Sequence, residues 1–393
     1  MKILFVIDTY DTSNNGTSIS AQRFAAELRN RGHEVNILTI GDENTTSPHR
    51  FSVNKMTVPV FQGLMDKHDF SFAQPWGAET MTIMHQAVEW ADVVHCFLPF
   101  VLDMKAQQYA KKIGKPCTGA FHIQPQNITS SAGLGKAEMV NERMYDLFRD
   151  SFYNDFTHVH VPSKFMGDMI AQRGYTAKIH VISNGIQDSF IEAGDRFAEH
   201  GRPAKRAEWQ GKLVVTMVGR LAQEKRQDVI INAVPFSKYS DKIQLVFAGR
   251  GPEMDKYKAL AEKLQLVNQP EFLYCDREGL IEVLGETDLY IHASDMESEA
   301  ISCIEAFATG LVPVIANSLE SATPQFALDG RSLFLPGVPK DLARAMDYWF
   351  NHPHEKEYIS SLYRQEARQY SLANSVTKFE DMLHEAIAEN QSK

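Results

Sequence analysis

Short apolar runs alternate with amphipathic stretches along the chain, in the repeating order strand, helix, strand. Residues 2–7 and 34–40 are rich in apolar and β-branched side chains, and residues 18–30 between them carry apolar side chains at helical spacing. Continuous apolar runs are typical of buried parallel strands, whereas a repeat of three to four residues is typical of a helix. The pattern predicts an α/β fold of the doubly wound kind, with ligand-binding loops above the carboxyl ends of the strands.

The same pattern returns in the second half of the chain. Residues 187–211 lose apolar periodicity and gain glycine and proline, and a new strand and helix begin at residue 212. We therefore expect two Rossmann-like domains, 1–186 and 187–371. A final amphipathic helix is predicted at about 372–389.

Composition narrows the class of protein. The 393 residues are 44% hydrophobic and 23% charged, with a formal net charge of −10. This balance is normal for two ordinary domains and argues against a general nucleic-acid binder, which needs a basic face. The acidic excess lies mostly beyond residue 190, which leaves the first half better able to approach an anionic membrane surface.

Cysteine usage and hydropathy bear on location. The four cysteines are scattered, with no Cys-x-x-Cys pair and no metal-ligand spacing, which favours a reduced, cytoplasmic protein. No run approaches the roughly 20 apolar residues of a membrane span, so any membrane contact is expected to be peripheral.

Two glutamates frame the most informative stretch. Glu297 follows an apolar strand, and Glu305 lies in a helix predicted from residue 301 to a stop at Gly310. Glu305 could reach a vicinal diol such as ribose, and the N–H groups near Ala300, Ile301 and Ser302 would face an anion at the helix start. Two acids at this spacing also occur on ordinary solvated helices, so the pair alone decides nothing.

Further candidates follow the strand ends of the second half. Gly219-Arg220 and Lys225 place two cations near a helix start, which suits a diphosphate, although a solvated basic turn has the same composition. Gly251 belongs to a Gly-x-Gly-Pro turn, and Cys275 follows the next strand.

Candidates in the first half are mainly histidines. His95 and His122 each end a short strand, and His122 precedes the polar run that contains Gln124 and Asn127. Gly16 lies in the loop after the first strand. Large apolar residues crowd 61–102, and we expect most of them in the core and a minority at a greasy acceptor pocket.

Taken in order, these residues resemble the retaining GT-B glycosyltransferases of family four. The resemblance is carried by His122, Gly219-Arg220, Lys225 and the Glu297-x7-Glu305 pair, and it covers nearly the whole chain. It implies two Rossmann-like domains facing a central cleft, with the C-terminal helix crossing back to the first. Three departures stand out, because the family usually has glycine where this chain has Ala300, a glycine pair where it has only Gly16, and aspartate where it has Gln187.

The resemblance also implies an activity. A hexose, glucose in the first instance, would pass from a UDP-sugar to a hydroxyl acceptor with retained configuration and without a metal ion or other cofactor. His122, Arg220, Lys225 and Glu297 would act on the sugar and diphosphate. The donor would be held by a larger set: Gly16, Gly219, Gly251, Cys275, Ala300, Ile301, Ser302 and Glu305.

The acceptor side is open to more than one interpretation. The strand that ends at His95 resembles the family's strand at the acceptor cleft, and the run Gln124 to Asn127 resembles a branch that glycosylates lipids such as diacylglycerol. The resemblance implies that His95, Gln124 and Asn127 are acceptor residues and that the protein works at the inner face of the cell membrane. A soluble glycan acceptor, a nucleotide-sugar epimerase, a phosphorylase and a non-catalytic nucleotide-sugar binder are the alternatives.

Overall fold

The structure, a computed structural model, describes residues 1–12, 16–41, 49–56, 71–74, 76–131 and 137–392. The chain divides into two compact units. The first comprises Met1–Asn184 with Leu372–Lys393, and the second comprises Gly185–Ser371. The boundary expected from the sequence, between 186 and 187, lies just inside the second unit.

The first unit is built on a parallel sheet of seven strands in the order β3-β2-β1-β4-β5-β6-β7. Its strands are β1 Lys2–Val6, β2 Glu34–Ile40, β3 Arg50–Val53, β4 Val93–Cys96, β5 Cys117–Ala120, β6 His158–Val161 and β7 Lys178–Val181. Its first helices are α1 Gly16–Asn30, α2 Ala78–Trp90, α3 Val101–Lys112, α4 Pro125–Ser131, α5 Glu138–Ser151 and α6 Lys164–Gln172. Four consecutive residues of β1, from Ile3 to Val6, are fully buried, as a central strand covered on both faces requires.

The second unit repeats this plan with six strands in the order β10-β9-β8-β11-β13-β15. The strands are β8 Leu213–Val218, β9 Ile243–Ala248, β10 Glu271–Leu273, β11 Leu289–His292, β13 Pro313–Ala316 and β15 Leu333–Phe334, while β12 Met296–Glu297 and β14 Glu320–Ser321 form a separate parallel pair. The helices are α7 Asp188–His200, α8 Gln227–Ala233, α9 Met254–Lys263, α10 Arg277–Glu286, α11 Ile301–Ala308, α12 Pro339–Asn351 and α13 Pro353–Ala367. Because β8 pairs with both β9 and β11, the loops that leave these three strands emerge side by side.

The C-terminal helix, α14 Leu372–Gln391, packs into the first unit. Phe379 is fully buried and contacts the rings of Phe5 and Phe24 edge-on. Glu380 accepts a hydrogen bond from Arg31 at 2.6 Å at the surface of the same contact. The last element of the sequence thus completes the core built by the first.

The segment 187–211 differs from the expectation of an irregular boundary. Asp188–His200 is a helix that buries Phe190, Ala193 and Gly194. A Cβ on Gly194 would lie 2.0 Å from the carbonyl oxygen of Ala308, so the glycine allows α7 to pack closely against α11. Phe190, Ile191, Ala193, Gly194 and Phe197 recur at helical spacing, so the expectation that this segment lacks apolar periodicity was wrong.

Within the part of the chain that the structure describes, every helix is too short or too polar to span a bilayer.

Candidate functional site

The loops that leave β8 and β9 are packed backbone to backbone. A Cβ on Gly249 would lie 2.0 Å from the carbonyl oxygen of Gly219, and one on Gly251 would lie 2.2 Å from that of Leu221. Gly219 and Gly249 also have φ angles of +148° and +158°, which favour glycine. The glycines predicted at this end of the sheet therefore have a physical reason, which is close approach of two strand-end turns.

Two loops that are distant in sequence are joined residue by residue. The N–H of Asp295 donates to the carbonyl of Glu224 at 2.9 Å. The Arg226 guanidinium donates to the Asp295 carboxylate at 2.8 Å, and Lys225 donates to Glu297 at 2.5 Å. The loop after β8 and the loop after β11 are thereby held in one arrangement.

Glu297 accepts hydrogen bonds from two sides at the same oxygen. Lys225 Nζ lies 2.5 Å from Glu297 Oε1, and His292 Nε2 lies 2.9 Å from that atom. The Lys225 and Glu297 side chains are 21% and 11% exposed. The structure therefore brings together two residues that were predicted as catalytic and a third that was not.

The charge state of Glu297 follows from these neighbours. Burial alone would raise the pKa of Glu297, but the Lys225 ammonium and the His292 hydrogen bond hold it well below its usual range. Glu297 is therefore a carboxylate at neutral pH, able to accept a hydrogen bond and unable to donate one. A hydroxyl-rich ligand such as a sugar suits such a group.

Arg220 takes a different partner from the one a phosphate clamp suggests. Its guanidinium donates to Glu224 at 2.7 Å, and its side chain is 44% exposed. An exposed pair at i, i+4 is weak, so Arg220 is available to an incoming anion at small cost.

Helix α11 begins with a strained residue. Ala300 is its N-cap, with φ +72° and ψ +68°, and no side chain caps the helix end. This left-handed conformation costs an L-residue about 1–2 kcal/mol, which explains why glycine suits the position. The N–H groups of Ile301 and Ser302 have no carbonyl one turn earlier within the helix, so the helix start can accept an anion.

Glu305 and Cys275, both predicted to bind the donor, are less exposed than Arg220. Glu305 is on α11 and only 7% exposed. Cys275 follows β10 and is partly buried, and burial raises the pKa of its thiol. Beside it, the Arg250 guanidinium stacks on the Tyr274 ring at 3.9 Å.

In the first unit, His122 lies just beyond β5 and is 7% exposed. Its ring stacks with that of Phe97 at 5.8 Å and meets that of His160 edge-on at 4.8 Å. Burial, followed by the neighbouring His160, lowers the pKa of His122 well below its ordinary value. The imidazole is therefore neutral at pH 7.

His95 and Gln124 are placed differently from an acceptor site. His95 is fully enclosed, donates to or accepts from Thr118 at 2.8 Å, and contacts Phe379 of the C-terminal helix. Gln124 is 1% exposed and faces the Met166 sulfur. Enclosed side chains cannot touch an acceptor without repacking, so both residues act here in packing. The side chain of Asn127, in α4, lies outside the described part of the structure.

The remaining acceptor-side expectations are only partly visible. Gly16 starts α1, and a Cβ there would meet nothing within 4 Å. Phe61, Leu64, Met65 and Phe70 lie outside the described residues. Within the rest of 61–102, Phe97, Leu98 and Phe100 are buried, whereas Trp76 and Val101 are 60% and 44% exposed.

One histidine cluster in the described residues has the makings of a metal site. Ligand atoms of His158, His180 and Glu385 lie within 4.8 Å of one another. However, His158 Nδ1 is 2.9 Å from His180 Nε2, and Lys178 already forms an ion pair with Glu385. These contacts between the sheet and α14 account for the cluster as packing.

Two family models match successive parts of the chain. "Glycosyltransferase Family 4" matches residues 14–190, and "Glycosyl transferases group 1" matches residues 202–366. Together they span both units. The chain belongs to the family 4 glycosyltransferases.

Named relatives of this glycosyltransferase are about a quarter identical to it over the matched residues. Alpha-monoglucosyldiacylglycerol synthase of Streptococcus pneumoniae is 24% identical, over 81% of this chain and 71% of the relative. A GDP-mannose-dependent alpha-mannosyltransferase of Mycobacterium tuberculosis is 25% identical, over 80% of this chain and 79% of the relative.

Solved structures confirm the GT-B fold of this glycosyltransferase. The Anabaena protein Alr3699/HepE in complex with UDP superposes with a TM-score of 0.75 at 16% identity, covering 98% of this chain and 100% of that one. The enzyme uses a nucleotide-sugar donor.

His292, Asp295 and Arg226 were missed by sequence reasoning. His292 ends a buried strand, the signal that singled out His95 and His122, and it lies five residues before Glu297. The role of Asp295 depends on a contact between two loops, which no local pattern contains.

Proposed function

We propose that this glycosyltransferase moves glucose from UDP-glucose to the hydroxyl of a membrane lipid, with retained anomeric configuration and without a metal ion. The observation that supports the UDP-glucose donor is the pairing of Lys225 with Glu297, near the start of α11, whose first N–H groups lack partners within the helix. Cation, carboxylate and helix start together match the diphosphate and hydroxyl groups of a nucleotide sugar.

The chemical difficulty lies in the leaving group. As the bond from sugar C1 to the β-phosphate oxygen breaks, negative charge grows on the diphosphate. Lys225, Arg220 and the N-terminus of α11 supply fixed positive charge there, the contribution that a divalent cation makes elsewhere. The acceptor oxygen takes the place of the phosphate oxygen at C1, and its hydroxyl proton leaves with the UDP.

The sugar and ribose are assigned to different carboxylates. We propose that Glu297 accepts from the C3 or C4 hydroxyl of the hexose and that Glu305 accepts from the ribose. His122, neutral because it is buried, orients the hexose by a hydrogen bond. The backbone approaches the nucleotide at Gly219, Gly251 and Cys275. The loops after β9 and β10 then select the base through their backbone groups.

The lipid acceptor is supported by three observations. The named Streptococcus relative is a monoglucosyldiacylglycerol synthase, the run 124–127 resembles the lipid-glycosylating branch, and Trp76 and Val101 expose apolar surface on the first unit. We further propose that the enzyme works peripherally at the inner face of the cell membrane, where its less acidic first half meets the lipid.

The mannosyltransferase relative favours a second donor, GDP-mannose, at almost the same identity. An acceptor and donor screen separates these possibilities. Labelled UDP-glucose and GDP-mannose are each incubated with vesicles containing diacylglycerol or a sterol, and with soluble oligosaccharides. Labelled glycolipid from UDP-glucose supports the proposal. Label found only in soluble glycan, or only from GDP-mannose, overturns its acceptor or donor half.

A further inference from the structure

His292 is a buried polar residue at the end of β11 for which the proposed chemistry has no role. The residue is 1% exposed. Its Nε2 lies 2.9 Å from Glu297 Oε1, and its Nδ1 lies 3.2 Å from the Tyr290 hydroxyl. That hydroxyl is also 3.3 Å from Ser302 Oγ at the start of α11. The histidine therefore links the two polar features of the donor site.

The direction of the hydrogen bond to Glu297 is fixed by charge. A carboxylate can only accept, and the depressed pKa of Glu297 keeps it ionised. His292 must therefore carry a proton on Nε2 and donate it. The Tyr290 hydroxyl at Nδ1 satisfies the second ring nitrogen and fixes the plane of the ring.

Both donors meet Glu297 at one oxygen. Lys225 and His292 contact Oε1, and no donor among the described residues contacts Oε2. The Glu297 side chain is 11% exposed, and both of these contacts are made at Oε1. A carboxylate held at one oxygen by two donors from different directions has little freedom to rotate.

We propose that His292 is a positioning residue, which holds Glu297 Oε1 so that Oε2 is presented to a hydroxyl of the donor sugar. The inference rests on the proposed function of Glu297. Lys225, the second donor to Oε1, is assigned to the diphosphate in the proposed function, whereas the His292 ring hydrogen-bonds Glu297 and the Tyr290 hydroxyl. His292 therefore acts on the sugar and not on the nucleotide.

The test separates sugar from nucleotide. UDP binding is measured by calorimetry, and kcat/KM with UDP-glucose is measured by UDP release, for the wild type and for His292→Leu. Loss of one charge-assisted hydrogen bond should lower kcat/KM about 10- to 100-fold and leave UDP affinity within about twofold. His292→Gln places an amide N–H near the position of Nε2 and should recover most of the loss.

His352→Leu is the control, since the His352 ring hydrogen-bonds the backbone carbonyl of Tyr348 and stacks on the Tyr348 ring, and it should change neither quantity. An equal loss of UDP affinity and kcat/KM in His292→Leu, or a Gln variant as poor as the Leu variant, would overturn the positioning role. If the wild type turns over UDP-glucose and His292→Leu does so equally well, this inference is rejected and the proposed function stands. A wild type without turnover rejects the proposed function, and the inference falls with it.

Discussion

Replacing Lys225 by methionine tests the electrostatics of the donor site. The change removes the ammonium 2.5 Å from Glu297 and keeps an unbranched stem of similar length. Glu297 would retain His292 as a donor, but burial would no longer be opposed by a full positive charge. We therefore expect lower stability together with a raised pKa of Glu297.

The magnitude follows from exposure. Removing one partner of a buried ion pair costs about 3–5 kcal/mol, whereas a typical exposed pair contributes about 0.2–1 kcal/mol. With side chains 21% and 11% exposed, the pair falls near the lower end of the buried class, so we expect a loss of about 3 kcal/mol. Lys225→Met with Glu297→Gln should recover most of it, because no unpaired charge remains.

The loss should depend on pH. In the wild type the depressed pKa of Glu297 contributes stability above the ordinary value of 4.5, and this stability is lost as pH falls through the depressed pKa. In Lys225→Met, burial raises that pKa, so protonation of Glu297 relieves the penalty. The difference between wild type and variant should be largest near pH 8 and shrink as the pH approaches 5.

Urea denaturation of the two single variants and the double variant at several pH values is the assay. Arg220 and Glu224 form the matched control cycle, since their side chains are 44% and 30% exposed and should couple by no more than about 0.5 kcal/mol. A Lys225–Glu297 coupling as small as the control, or a loss that does not vary with pH, would mean that Lys225 does not keep the buried Glu297 ionised.

The remaining predictions concern backbone and nucleotide. Gly251→Ala places a Cβ 2.2 Å from the Leu221 carbonyl oxygen and should lower the unfolding free energy by more than about 2 kcal/mol. Gly16→Ala is the control, because a Cβ there meets nothing within 4 Å, and its effect should stay within about 0.5 kcal/mol. Equal effects in urea denaturation would mean that close packing does not require Gly251. Ala300→Gly removes the strain of a left-handed alanine but raises the entropy of the unfolded chain. The unfolding free energy should therefore stay unchanged or rise by up to about 1 kcal/mol. A clear loss of stability in urea denaturation would mean that Ala300 is not strained. Glu305→Gln should weaken UDP binding about tenfold by calorimetry, and unchanged affinity would remove Glu305 from the ribose.

Local sequence patterns were enough to predict the fold, because its strands are continuous apolar runs. Residues 2–7 and 212–220 could be predicted as buried strands, and two such repeats imply two nucleotide-binding-like halves. The helix Asp188–His200 could have been predicted, because Phe190, Ile191, Ala193, Gly194 and Phe197 recur at helical spacing, but its contact with α11 through Gly194 could not. Close helix packing is a property of shape, and apolar periodicity does not report it.

The candidate site divides in the same way. Lys225 and Glu297 could be singled out from residue type and spacing, and the structure joins them. The link from Asp295 to Arg226 could not, since it exists only because β8 and β11 are neighbours and their loops leave the sheet together. His95 carried the same local signal as His122, yet the C-terminal helix encloses it, and that long-range contact cannot be read at position 95.

Analysis of the reaction products shows whether this chain transfers glucose from UDP-glucose to a lipid with retained configuration. The purified chain is incubated with UDP-glucose and vesicles containing diacylglycerol, and the products are analysed by NMR for released UDP and for the anomeric configuration of the new glycoside. We expect equal amounts of UDP and of a glucolipid with the α-configuration of the donor. A β-linked product, or UDP-glucose left intact in the presence of every lipid and soluble hydroxyl acceptor offered, would contradict it.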